Sequence, residues 1–290
     1  MHMDVLVLGT AAAEQWPSIY CRCDICCRVR RDGGRDVRTR SSLRIGERYQ
    51  IDFGPDANWQ MHRNGIDLFD LEHLFITHTH SDHFQFEEIV SKSHAIRANS
   101  KPLAVYMSVP AAEYLERILH TFDAQIEDEE DLAAWRRRFP VRALEYFRSF
   151  EIGELGVTTI KGSHLAEGMD QFSINYLIRL PDGRCLLYAV DTGYYQEEAW
   201  EYLRGKRVDI LVMDCTFPTR RTEPRSFGHH TLASFLGTLE RMREIGFIDG
   251  RTKVCATHFD IHQALPHGEM QALFDGSAVP VTVAYDGLAL

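Results

Sequence analysis

The segment Thr77-His78-Thr79-His80-Ser81-Asp82-His83 constrains this chain more than any other part of it. It follows the short apolar run 74–76, which reads as a strand. At a strand end His78 and His80, two residues apart, can face one centre, while Asp82 and His83 follow in the loop. Three imidazoles and a carboxylate this close together are borderline-to-hard ligands, suited to Zn, Mn or Fe and poorly suited to a soft-metal site. A surface His-rich loop is the plain alternative. Against it stand three further pieces of the same kind: Lys161-Gly162-Ser163-His164, Tyr188-Ala189-Val190-Asp191-Thr192-Gly193 and Cys255-Ala256-Thr257-His258. Each places a polar residue at the carboxyl end of an apolar strand, so all of them can converge on one edge of a sheet structure.

Short β-rich runs recur at 5–8, 42–45, 49–53, 74–77, 103–108, 157–160, 173–179, 185–190, 210–213, 253–256 and 281–284. Polar turns such as Pro181-Asp182-Gly183 between them predict extended sheet, much of it antiparallel. Helical periodicity appears at 86–98, 111–122, 129–138, 197–203, 231–245 and 267–274. Two series of strands with helices outside predict an α+β, four-layer α/β/β/α sandwich. The whole of 1–290 is read as one domain, with a mainly helical insertion near 84–150 that partly overhangs the His-rich loop. Within that insertion an acidic run, 127–131, precedes Arg136-Arg137-Arg138, the order that suits a helix dipole.

An apolar fraction of 44%, with 16 Phe, 11 Tyr and 4 Trp, supplies a large core and excludes intrinsic disorder. No apolar run approaches the roughly 18 residues a membrane span needs. Met1-His2-Met3-Asp4 carries no basic n-region, so a cytoplasmic protein is expected. A net charge of −10 argues against general nucleic-acid coating. Seven Cys is an odd number, and four of them crowd at Cys21, Cys23, Cys26 and Cys27. In a reducing compartment such clustering reads as a metal site before a disulfide framework. Cys185, Cys215 and Cys255 lie in apolar stretches and read as small buried hydrophobes.

Taken in order, these motifs resemble the metallo-β-lactamase superfamily of metallohydrolases, from Leu8-Gly9-Thr10 to the run 281–284. The resemblance implies a dinuclear centre of two divalent ions (Zn, Mn or Fe). His78, His80 and His164 would hold one, and Asp82, His83 and His258 the other, with Asp191 bridging. In such a centre a bridging hydroxide is the nucleophile and both cations neutralise substrate charge. Phe227-Gly228-His229-His230-Thr231 is similar to the Gly-His element of the phosphodiesterase branch, which implies that His229 protonates the leaving alkoxide. Asp214 is the candidate to keep it protonated, because a helix N-terminus alone would depress a His pKa. His229, Asp82 and Asp191 are thus the expected catalytic residues.

Cys21-x-Cys23-x-x-Cys26 is similar to the extra zinc site of the phosphoribosyl cyclic phosphodiesterase of the carbon–phosphorus lyase pathway. The resemblance implies a structural Zn on Cys21, Cys23, Cys26 and a His beyond the last catalytic one, here His262. The loop to His262 is one residue longer than the family pattern, which leaves Cys27 and His267 as alternative fourth ligands. The same cysteines also resemble the PQQ-biosynthesis branch, but Asp82 and His83 are intact here where that branch is degenerate. Arg28, Arg30, Arg31, Arg35, Arg38 and Arg40 read as a solvated loop, with a dock for a second substrate phosphate as the sharper alternative.

The expectation is therefore a metal-dependent phosphodiesterase acting on a small, cyclic ribose-type phosphodiester, with no membrane partner and with nucleic acid disfavoured. A homodimer is the superfamily's habit. The alternatives are a tRNA 3′-processing endoribonuclease, against which the lack of a long basic arm counts, and a metal-binding module without turnover.

Overall fold

The computed structural model describes residues 3–94, 101–122, 126–166 and 170–290. In chain order its strands are β1 (Val5–Gly9), β2 (Ser42–Ile45), β3 (Tyr49–Ile51), β4 (His73–Phe75), β5 (Ala104–Ser108), β6 (Val141–Leu144) and β7 (Ser149–Ile152). They continue with β8 (Leu155–Ala166), β9 (Gln171–Arg179), β10 (Cys185–Ala189), β11 (Ile210–Asp214), β12 (Lys253–Thr257), β13 (Val281–Val283) and β14 (Leu288–Ala289). They form two sheets, in the orders β14-β1-β2-β3-β4-β5-β6 and β13-β12-β11-β10-β9-β8-β7.

Each sheet is half antiparallel and half parallel. Pairing is antiparallel from β14 to β3 and from β7 to β10, then parallel from β3 to β6 and from β10 to β13. Parallel neighbours need crossovers, and helices supply them. In the first sheet α2 (Ala57–Asn64) links β3 to β4, α3 (Phe86–Val90) links β4 to β5, and α4 (Val109–Phe122) with α5 (Glu129–Arg138) link β5 to β6. In the second, α6 (Glu197–Leu203), α7 (Leu232–Glu244) and α8 (His267–Ala272) do the same for β10 through β13, while α1 (Asp24–Asp32) follows β1.

The alternation of side chains along each strand separates three apolar layers. Phe75 of β4 and Leu186 and Tyr188 of β10 face the space between the sheets, with Ile51, Ile174 and Tyr176. Their neighbours turn outward: Leu74 and Ile76 pack with Phe86, Leu115 and Trp135, whereas Leu187 and Ala189 pack with Trp200, Phe235 and Met270. Helices thus cover both outer faces, the four-layer sandwich expected from the sequence. No helix among the described residues is long and apolar enough to cross a membrane.

Some elements differ from expectation. The helix expected over 86–98 gives way after Val90 to a 3-10 turn, Ser91–His94, and the rest falls outside the described residues. The 84–150 segment is helical on its outside but also donates β5 and β6 to the first sheet. Its described helices pack on the outer face of that sheet, through Leu115, Leu132 and Trp135. The short helices α1 and α2 show too few apolar positions to be seen in the sequence, with only Cys26 and Val29 buried in α1.

Tyr176 ties the two sheets together beneath the His-rich loop, because its buried hydroxyl donates to the Ile76 carbonyl at 2.7 Å. Tyr176→Phe should lower stability by about 1–3 kcal/mol, the cost of stranding a buried acceptor. Urea denaturation checks this, and an unchanged midpoint would contradict it.

Candidate metal centre

The residues of interest gather at the carboxyl ends of the parallel strands, the edge where open α/β sheets characteristically bind ligands. Asp52 follows β3, the loop 76–83 follows β4, Asp191 follows β10, Asp214 closes β11 and His258 follows β12. Asp52, Asp191 and His258 have φ of 61°, 55° and 62°, left-handed values that are uncommon outside glycine. Such strain at three strand ends turns each side chain back over the sheet edge and persists because the surroundings hold it.

His78, His80 and His164 bring one ring nitrogen each to a common point, all within 4.8 Å of one another. His80 Nδ1 lies 2.8 Å from His78 Nε2 and 3.1 Å from His164 Nε2. Nitrogens around a tetrahedral Zn would stand roughly 3.3 Å apart given the usual bond length. Burial pushes the His78 pKa well down and takes His164 to about 4, so both rings are neutral with lone pairs to offer.

A second set, Asp82, His83 and His258, converges in the same way. His83 Nε2 lies 3.0 Å from Asp82 Oδ2 and 2.9 Å from Asp191 Oδ2. The other Asp191 oxygen is 3.3 Å from His258 Nε2 and 3.8 Å from His164 Nε2. Asp191 thus stands between the two sets. His83 Nε2 and Asp191 Oδ2 are close and fully buried, yet neither makes an aligned hydrogen bond. Orphaned buried atoms aimed at a shared point are what ligands of a cation look like, so the donor set fits divalent metal. Burial opposes charge on both residues. Three carboxylates, Asp82, Asp191 and Asp52, nevertheless hold the His83 pKa well up, and His258, His83 and His78 hold that of Asp191 well down.

Partners behind these residues orient them. His83 Nδ1 lies 2.8 Å from Asp52, a buried carboxylate that also accepts from the Thr77 amide and hydroxyl. Ser41 Oγ contacts His258 Nδ1 at 3.0 Å. Gln171 Oε1 accepts from the Thr79 amide and hydroxyl, each at 2.9 Å, and so clamps the chain between His78 and His80. Asp52, Ser41 and Gln171 were not singled out in the sequence. Asp52 carried a usable signal, since Ile51-Asp52-Phe53-Gly54 repeats the apolar-Asp-x-Gly form of Val190-Asp191-Thr192-Gly193.

His229 lies beside this centre, its ring 4.5 Å from that of His164. Its Nδ1 is 3.0 Å from Asp214 Oδ2 and 3.1 Å from Thr216 Oγ1. Asp214 is buried, and its other oxygen accepts from the Thr216 amide and hydroxyl and the His230 amide. Burial alone would lower the His229 pKa, but the Asp214 charge and hydrogen bond raise it to about 9. His229 precedes Thr231, the N-cap of α7, so it lies outside the helix. Asp191, Asp214, His229 and His258 also form a close group, but both Asp214 oxygens are already engaged by the donors just named.

At the other cluster, the sulfurs of Cys21, Cys23 and Cys26 lie within 4.8 Å of one another. Backbone amides of Cys23 and Cys26 donate to the sulfurs of Cys21 and Cys23, at 3.5 and 3.4 Å. The fourth-ligand candidates do not join them. Asp260 Oδ1 accepts from the His262 amide at 2.7 Å, and with Ile261 buried the His262 side chain is exposed. Cys27 Sγ donates to the Arg22 carbonyl, and His267 Nδ1 is 3.2 Å from Arg38. The Arg run is largely consumed internally. Arg38 is buried and donates to Thr10 and the Ala284 carbonyl, Arg40 pairs with Asp56, Arg31 pairs with Asp32, and Arg35 lies over the Tyr285 ring.

The model of one protein family, described as the anti-Pycsar protein Apyc1, matches residues 44–244. That span runs from within β2 to the end of α7 and takes in Asp52, His78, His80, Asp82, His83, His164, Asp191, Asp214 and His229, but not Ser41, His258 or the Cys cluster with its fourth-ligand candidates His262 and His267. No curated protein matches the chain. Among solved structures it is similar to a diphosphatase of the PhnP family, with TM-score 0.73 and 20% identity over 100% of this chain and 97% of that one. It is similar to the metallo-β-lactamase fold protein YhfI from Bacillus subtilis, with TM-score 0.69 and 14% identity over 100% of both chains. It is also similar to zinc-bound PqqB from Methylobacterium extorquens, with TM-score 0.71 and 18% identity over 99% of both. At these identities the likeness is one of fold, and the fold is the metallo-β-lactamase fold.

Two substitutions test the centre's construction. Asp52→Asn removes the charged acceptor behind His83 and should weaken metal binding about 10–100-fold while the fold survives; chelator competition reads this, and unchanged affinity would contradict it. A Cβ on Gly54 would meet the Asp82 carbonyl oxygen at 2.1 Å. Gly54→Ala should therefore displace the Asp82 loop and lower the metal bound per chain, a loss that unaltered stoichiometry would refute.

Proposed function

The chain belongs to the family of the anti-Pycsar protein Apyc1, and from its centre we propose a metal-dependent phosphodiesterase that hydrolyses a small, cyclic ribose-type phosphodiester. The observation that carries this reading is a pair of donor sets meeting at Asp191, with a cationic imidazole, His229, held beside them by the buried Asp214. Among structures of the same fold, one is named a diphosphatase and another is zinc-bound, which supports a metal centre acting on phosphorus esters. The anti-Pycsar role in the family's name is part of the same proposal.

His78, His80 and His164 would hold one divalent ion, and Asp82, His83 and His258 the other, with Asp191 shared. Such ions, Zn, Mn or Fe, supply a nucleophile from water near neutral pH and neutralise charge on the phosphoryl oxygens. The remaining work falls to the chain. Asp52 and Ser41 keep His83 and His258 oriented. Asp214 and Thr216 hold His229 through Nδ1, leaving Nε2 to give its proton to the departing alkoxide. Cys21, Cys23 and Cys26 would hold a structural zinc apart from this chemistry, with His262 as the proposed fourth ligand. Reduced thiols of this kind suit a cytoplasmic setting.

The test compares leaving groups. His229→Ala should keep its metal and lose about 10²–10⁴ in kcat on a cyclic ribose phosphodiester, whose alkoxide needs a proton. On bis-(p-nitrophenyl) phosphate, whose phenolate leaves unaided, the loss should be much smaller. Asp191→Ala should lose metal and both activities. Equal metal loss in the two variants would contradict the assigned roles, and turnover of RNA but not of cyclic esters would select a 3′-processing ribonuclease instead.

A further inference from the structure

Cys23 and Cys26 stand three residues apart at the start of α1, the Cys-x-x-Cys spacing of a dithiol pair. Cys23 is the N-cap, with extended backbone, and its Sγ accepts from the Cys26 amide at 3.4 Å. The two sulfurs lie within 4.8 Å of one another, so side-chain rotation is the movement between them and a bond. Their settings are opposite. Cys23 is exposed, whereas Cys26 is fully buried, in one core cluster with Trp16 and Val29. Cys27 is exposed too, but its Sγ is engaged elsewhere, donating to the Arg22 carbonyl at 3.4 Å. Arg22 and Arg28 border the pair as exposed cations. A zinc site asks only that the sulfurs converge. An exposed sulfur beside a shielded one is, in addition, the arrangement of a dithiol that reacts in order, the outer sulfur first.

We propose that Cys23 and Cys26 form a redox-active dithiol, with Cys23 the attacking sulfur, Cys26 the resolving one, and an anionic low-molecular-weight disulfide of the oxidised-glutathione class as oxidant. Cys23 attacks one sulfur of that disulfide. Its S–S bond breaks, one glutathione leaves and takes up the Cys23 proton, and the other stays bonded to Cys23. Cys26 is shielded from the bulky oxidant but close to Cys23, and it then attacks the Cys23 sulfur. The second glutathione leaves with the Cys26 proton, and the chain holds a Cys23–Cys26 disulfide. Two protein thiols are thereby oxidised, and one glutathione disulfide is reduced to two thiols. Arg22 and Arg28 attract the anionic oxidant. Zinc takes these sulfurs only as thiolates, so the bond and the ion exclude one another, and thiol redox state sets zinc occupancy here. The proposal is independent of the phosphodiesterase reading.

The experiment treats the full chain with excess oxidised glutathione after loading with manganese, which fills the His/Asp centre and leaves the soft thiolates free. Counted after denaturation, two of the seven free thiols should be lost. Trypsin cuts after Arg22 and Arg28, so the peptide 23–28 should carry the bond internally, and fragmentation should place it between Cys23 and Cys26. Cys26→Ser should stop with glutathione on Cys23, Cys23→Ser should form neither product, and Cys27→Ser should still close the bond. Zinc added beforehand should keep the pair reduced. Thiols that stay reduced in the zinc-free parent would overturn the proposal, as would a bond from either residue to Cys21 or Cys27. Oxidation as fast with zinc as without it would also overturn it, because one pair could not then serve both. If Cys26→Ser, altered at a buried position, fails to fold, the mapping in the parent decides. Every readout is thiol chemistry, so none depends on turnover.

Discussion

The Asp191 carboxylate is the point on which the rest of the site depends. It is buried in a medium that penalises charge, and it is offset only because His258, His83 and His78 surround it. One of its oxygens faces His83, and the other faces His258 and His164. Its left-handed backbone is held on both sides, since Ser173 Oγ donates to the Asp191 carbonyl at 2.6 Å and Asn175 Nδ2 to the Val190 carbonyl at 2.9 Å. Both donors come from β9. The two donor sets can therefore meet only if β9 and β10 are in register, which places the fold's central antiparallel pair directly under the chemistry.

Behind the centre, four of the imidazoles, His78, His83, His229 and His258, have the second nitrogen held by a partner. Thr77 and Ser41 hydroxyls sit behind His78 and His258. A carboxylate sits behind His83, where it orients a ring already crowded by two other acids. Another sits behind His229, where it raises the pKa to about 9 and keeps the ring cationic. A carboxylate stands behind both His83 and His229, so what separates their roles is the other nitrogen: that of His83 faces Asp82 and Asp191, whereas Nδ1 of His229 is held by Asp214 and its Nε2 is left to donate.

Much of this was legible in the sequence for one reason: an apolar strand ending in a polar residue before a turn is a compact, local signal. The loop at His78–His83, and His164, Asp191 and His258, all carry it, and the structure gathers them. Asp52 carries it too, in Ile51-Asp52-Phe53-Gly54, but unlike Asp191 it is not among the ligands that the family resemblance implies. Ser41 and Gln171 act through pairings distant in sequence, which no local pattern encodes. Parallel and antiparallel halves look alike in the sequence because strands of both kinds are buried on both faces, β2 and β11 throughout, and only the crossover helices distinguish them. For the Arg run, composition could not reveal that Arg38 and Arg40 turn inward to Ala284 and Asp56. Similarly, the spacing to His262 could not reveal that Ile261 would take the inward position.

The central claim is that two metal positions share Asp191, and electron paramagnetic resonance of the manganese-loaded protein tests it most directly. The Cys21→Ser/Cys23→Ser/Cys26→Ser variant removes the thiolate site from the measurement. At full loading the account predicts two Mn(II) per chain and the spectrum of an exchange-coupled pair, which Asp191→Ala reduces to isolated ions or none. Two uncoupled ions, or a single ion at saturation, would contradict it.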